Sequence, residues 1–230
     1  MSAPRRFFKH ADVSEVAGGY GVTLDARALK TPAGTEFMVP ARALAEACAE
    51  EWNAQGEHIL PASMPLTQLA FAALDGGEGA RAERITYILK FAETDLCCHR
   101  AEAPAALVAR QAAAWGPLVA WGEEALGTAL PAVVGVIAAE VDADALRSHA
   151  EALDDFQLTA LAHATALAGS ALIGFALLRG RLDAEAVFAA AALDDLWSLE
   201  HWGEDEDARE KLEGKHAAFA ASARFIAALA

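Results

Sequence analysis

Hydrophobic and polar positions follow two rhythms along this chain. In the first forty residues they form short runs at 7–9, 13–17, 20–24, 28–31 and 36–39. Gly18-Gly19, Asp25, Pro32, Gly34 and Pro40 separate them. Val22 and Leu24 flank Thr23, the period of two that belongs to a half-buried strand. The stretch "PAGTE" supplies a tight turn between two such runs. The pattern predicts a small antiparallel sheet. From Ala41 the period lengthens: Leu44, Ala45, Cys48 and Trp52 recur at helical spacing, which predicts a helix over 41–55. Pro61 and Pro65 punctuate a linker. Helical patterns then fill 66–75, 79–94, 104–126, 142–153, 155–179, 183–201 and 204–228. Asp183 is placed to cap one helix and Gly180 to end the one before it. No repeat of fixed period appears. The predicted class is α+β: an N-terminal β-rich domain over residues 1–60 and an all-helical C-terminal domain over 61–230.

One helical pattern needs a second test. Residues 156–178 contain no Asp, Glu, Lys or Arg, and about 20 apolar residues suffice to span a bilayer. Gln157, Thr159, His163, Thr165 and Ser170 interrupt this run, and Ala is its commonest residue. A helix buried among other helices accounts for the pattern, and no stable membrane insertion is expected.

Composition sharpens the picture. Hydrophobic residues make up 55% of the 230, enough for a substantial core. The formal net charge is −15, which argues against nucleic acid and anionic membranes as partners, since both need clustered Lys and Arg. Most of that charge lies beyond residue 62, so the helical part should attract a basic surface. The three cysteines, Cys48, Cys97 and Cys98, are odd in number and two are adjacent, which fits a reducing compartment better than a disulfide scaffold. The N-terminal residues show no apolar signal region. A cytoplasmic protein is expected.

Candidate chemistry is sparse. "AGGYG" lacks the GxGxxG spacing, and neither GxxxxGK[ST] nor GxSxG occurs. "TDLCCHR" gathers Asp95, Cys97, Cys98 and His99, but consecutive residues point apart and zinc sites space their cysteines more widely. Buried small apolar cysteines at a helix end explain it, with Arg100 bonding terminal carbonyls or pairing with Asp95. "LEHWGEDEDA" brings Glu200, His201, Glu204 and Asp207 together without an EF-hand pattern. There Gly203 interrupts a helix and acids at 204–207 fill the first turn of the next, each worth about 0.3–1 kcal/mol against the helix dipole. That leaves Trp202 unexplained: either it wedges two helices or it is a contact residue with large area and an N–H donor. Core packing accounts for most of Trp52, Trp115, Trp121, Trp197 and Trp202. Two rival readings stand beside a binding role: a small enzyme with a carboxylate/cysteine site around Asp95 and His99, and an acidic helical scaffold.

Four blocks in one order carry a resemblance: "GYGVTLDARALKTP", "EEWNAQGEHILPASMPLTQLA", "TDLCCHRAEAPAALVARQAAAWGPLVAW" and "LDDLWSLEHWGEDEDA". Together they resemble the assembly chaperones of the F1 sector of ATP synthase, in the branch that handles the alpha subunit, called assembly factor 2 in mitochondria. The likeness runs over about residues 5–227. Ala26 departs from the family's usual Gly, Gly116 from an Asp, and His99 from a frequent Tyr. The resemblance implies a β N-terminal and a helical C-terminal domain, no catalysis and no cofactor. It implies a monomeric protein that holds the unassembled F1-ATPase alpha subunit until beta replaces it. It assigns client binding to Glu204 and Asp205, with Glu200 and Trp202 beside them and Trp202 also packing the helix pair. It makes Trp52, Pro65, Leu66, Thr67, Asp95, Arg100 and Trp115 structural residues of the family pattern.

Overall fold

The computed structural model describes residues 3–134, 141–203 and 206–230, without the side chain of Glu78. Strand β1 (Ala11–Val16) pairs antiparallel with β2 (Gly19–Leu24), which pairs antiparallel with β3 (Arg27–Ala28). Val22 and Leu24 are buried and Thr23 half-buried, as the alternation predicts. The β2–β3 turn places Asp25 at φ 47° and Ala26 at φ 66°. Such a turn favours Asp-Gly, so Ala26, where the family usually has Gly, sits in the left-handed region at a local cost. Asp25 compensates by accepting from the Lys9 and His10 amides, both at 2.9 Å, and this pins the incoming chain to the turn. Of the predicted runs, 36–39 joins the sheet through single bridges, Lys30 to Glu36 and Tyr20 to Val39. The run at 7–9 is no strand. There Phe8 is buried against Trp52, with ring centres 5.6 Å apart.

Helix α1 (Arg42–Asn53) lays Leu44, Ala45, Cys48 and Trp52 on this sheet, the face its spacing predicts. Helix α2 (Pro65–Asp75) closes the same hydrophobic cluster with Leu66, Leu69 and Ala70, and Ala160, Ala221 and Phe225 from later helices reach into it.

A second cluster forms the helical body. It draws on α3 (Gly77–Glu93), α4 (Ala105–Leu126), α5 (Ala143–Glu151), α6 (Asp155–Ala168), α7 (Ala171–Leu178), α8 (Ala184–Ala191) and α10 (Glu206–Ala227). Two residue pairs, β4 (His99–Arg100) and β5 (Val133–Val134), run parallel beside it. Helix α4 continues through Pro117. It buries Trp115 fully and packs Trp121 at the edge of the same core.

Two predicted helices are each divided. The run over 155–179 breaks between α6 and α7, because Gly169 takes φ 67° and the Ser170 side chain accepts from the Ile173 amide at 3.0 Å, starting a new helix. Every residue from Ala171 to Leu177 is buried, so the charge-free stretch is the interior of the helical body. Among the described residues no helix is long and apolar enough to cross a membrane. The run over 183–201 breaks at Ala192 into α8 and α9 (Leu193–Trp202). The carbonyls of Ala190 and Ala191 are there bonded by Trp115 Nε1 and Lys215 Nζ, both at 2.9 Å. These tertiary partners from α4 and α10 satisfy the helix end. Asp183 caps α8 through the Ala186 amide, and Gly180 follows α7 at φ 66°, both as predicted.

Candidate functional site in the cleft between the last two helices

Helix α9 is held to the body by polar ties as much as by burial. It buries only Leu193 and Trp197. Gln111 of α4 donates to Asp194 at 2.8 Å, and Arg110 forms a two-pronged pair with Glu200 at 2.6 and 3.0 Å. The same guanidinium lies 5.8 Å from the centre of the Trp197 ring, and His201 stacks on that ring at 3.9 Å. Arg110 pulls the Glu200 carboxyl below its ordinary value, and Glu200 in turn raises Arg110.

Trp202 ends α9, and Gly203 stops the helix with φ 96°. The indole-bearing residue is 81% exposed. It therefore does not pack the helix pair, which corrects one of the two sequence expectations for this residue. It lies instead on the lip of a cleft of about 520 Å³ between α9 and α10, lined also by Asp195, Leu199, Lys211, Leu212 and Lys215. Lys215 sits 3.9 Å from Asp195. Burial nevertheless lowers its pKa, against the pull of that carboxylate. Glu204 and Asp205 lie outside the described residues, while Glu206 and Asp207 occupy the first turn of α10.

The family-pattern residues fall at other places, none of them in this cleft. Pro65 opens α2, Leu66 enters the core, and the Leu66 and Thr67 amides donate to the buried carboxylate of Glu51 at 2.9 and 2.8 Å. Thr67 Oγ1 adds a third bond at 2.7 Å. A carboxylate borrowed from α1 thus caps α2 across space. Asp95 does the same for α7: it accepts from Ser170 Oγ at 2.7 Å, the Leu172 amide at 3.0 Å and the Cys97 amide at 3.0 Å. Burial raises the Asp95 pKa, and these bonds work against that rise. Arg100 does not pair with Asp95, contrary to one sequence option. It donates to the Gln111 carbonyl at 2.6 Å and lies over the Trp115 ring at 5.1 Å.

Cys97 and Cys98 are both buried. Burial, then the neighbouring Asp95, pushes Cys98 up to about 12 and Cys97 well above an ordinary thiol. Such thiols stay protonated at neutral pH. Among the described residues, no three His, Cys, Asp or Glu side chains are grouped to hold a metal ion. No sequence signal marks Glu51 or Gln111, the tertiary cap and the link between α4 and α9. The Glu51–Leu66 cap and the Gln111–Asp194 link join residues 15 and 83 positions apart, so no local pattern announces them.

Residues 5–123, just over half of the chain, match a family described as ATP12 chaperone protein. The class is thus a chaperone. The chain is 28% identical over 221 residues to a mitochondrial protein of Schizosaccharomyces pombe, Protein atp12, covering 90% of this chain and 76% of that one. The solved structure of Atp12 from Paracoccus denitrificans aligns with a TM-score of 0.91 at 37% identity, covering 99% of each chain. An aspartate-to-lysine mutant of the Paracoccus protein aligns with a TM-score of 0.92 at 36% identity over the whole of both chains. The chain belongs to the ATP12 chaperone family, the F1 assembly chaperones that its four sequence blocks resemble.

Proposed function

We propose that this chain binds the unassembled alpha subunit of F1 and keeps it from aggregating until the beta subunit takes its place. In this reading it is a cytoplasmic monomer that uses no cofactor and transforms no substrate. A lone alpha subunit would present the apolar surface that beta later covers, and such patches aggregate. A holder must cover that surface and still release it, which suits a moderate, partly polar interface around a few anchors.

The observation that carries the reading is Trp202, bare to solvent on the lip of the α9–α10 cleft of a chaperone-family chain. Large aromatic side chains in such positions dominate protein-binding energy. Glu204 and Asp205 next in sequence would meet basic groups on the client, whereas Glu200, expected beside them, is already held by Arg110. The test is co-expression of a lone alpha subunit with the chain, followed by co-purification and light scattering. The parent should hold alpha soluble. Trp202→Ala should weaken capture about tenfold or more, and Glu204→Lys should weaken it with an unchanged melting temperature. Aggregation of alpha beside the parent chain would overturn the reading. Parent-like capture by both variants would remove this cleft from it.

A further inference from the structure

On the other side of α9 lies a second groove, of about 390 Å³, between α4 and the α8–α9 corner. Its walls are apolar: Pro117 and Leu118 from α4, Leu182 ahead of α8, Ala189 on α8, and Leu193 and Leu196 on α9. Pro117 and Ala189 are exposed, and Leu182 and Leu196 half-exposed, so the groove opens to solvent. Among the described residues no carboxylate lines it. The charged side chains that do are two arginines, Arg110 and Arg181.

The two cations differ. Arg110 is neutralised by its two-pronged bond to Glu200. Arg181 has its backbone locked, with its amide bonded to the Ala176 carbonyl at 2.8 Å. Its exposed guanidinium has no hydrogen-bond or ion-pair partner among the described residues. The nearby carboxylates ahead of α8, on α8 and on α9 are already engaged: Asp183 caps α8, Asp194 takes Gln111, Asp195 lies 3.9 Å from Lys215, and Glu185 lies 2.7 Å from His216, while Glu123 and Glu124 near the end of α4 do not line the groove. On a chain of net charge −15, an apolar groove with a free cation at its mouth runs against the surrounding field. It complements an apolar segment that carries a carboxylate, whereas the acidic surface elsewhere complements basic groups.

We infer that the α4–α8–α9 groove is a second client-docking site, which takes an apolar segment of the alpha subunit with an Asp or Glu positioned to pair with Arg181. This rests on the proposed alpha-binding role. The two sites flank one helix, so α9 would be clasped by the client from both sides.

The test uses the full chain and isolated alpha subunit. Arg181→Glu and Ala189→Trp alter exposed side chains, and their melting temperatures should equal the parent's. Each should weaken alpha capture about tenfold, whereas Arg181→Lys should retain it. Ala189→Cys, labelled with a photoreactive maleimide, should cross-link to an apolar, Asp- or Glu-bearing segment of alpha. If the parent captures alpha but Arg181→Glu and Ala189→Trp capture it equally well, the second site is wrong and the first reading stands. Cross-linking of the label to another copy of this chain instead would also overturn it. If the parent captures no alpha at all, both fall together.

Discussion

Asp95 shows how far a side chain's role is set by what surrounds it. In "TDLCCHR" it stands among ligand-type residues, where a chemical role is one open reading. In the fold both its oxygens receive donors, three in all, from two segments of the chain, and the carboxylate serves as a cap. Ser170 accepts from Ile173 and so turns its own hydrogen toward Asp95. A carboxylate is required here, because Asp95→Asn would aim an amide N–H₂ at one of these donors. That variant should lose about 1–3 kcal/mol of unfolding free energy, the cost of an unsatisfied buried donor, in urea titration followed by circular dichroism. The same logic separates Trp115 from Trp202. Both are tryptophans followed directly by glycine, but one indole is fully buried with its N–H on a carbonyl and the other is bare. The acidic run after Trp202 marks it as the wetter of the two, but only the packing decides which indole is buried.

At the scale of elements, periodicity identifies where helices lie and leaves open how many there are. The pattern over 155–179 is continuous because both α6 and α7 are buried on several faces, so burial supplies no punctuation. Punctuation comes from Gly169 and Ser170, a left-handed residue followed by a cap. The resulting α6–α7 pair packs very closely. A Cβ added at Gly174 would come within 2.5 Å of Thr165 Oγ1 and 3.2 Å of the Thr165 amide. Gly174→Ala should therefore destabilise the chain by about 1–3 kcal/mol, the usual cost of overpacking, although alanine is the better helix former. A melting temperature equal to or above the parent's would show that the two helices can separate freely. The division of α8 from α9 has no such residue behind it. Trp115 and Lys215 take the carbonyls at the break, and those donors come from 75 and 24 positions away.

At the scale of the whole molecule, the thiols offer a direct check on the packing. Cys48, Cys97 and Cys98 are all buried, in two different cores. Burial pushes Cys48 up to about 12 and Cys98 likewise. The native chain should leave all three thiols unreacted with a chromogenic disulfide reagent at pH 8, and all three should appear on unfolding in guanidinium. Rapid reaction of any one before unfolding would show that its core opens.

The hydrophobic rhythm determined the α+β class, the early sheet, the faces of α1 and the positions of most helices, because each depends on residues a few places apart. The caps by Glu51 and Asp95, the break before α9, the exposure of Trp202 and the groove beside Arg181 were decided only by the tertiary structure. They depend on groups that approach from distant parts of the chain, and a linear pattern carries no information about which distant group arrives.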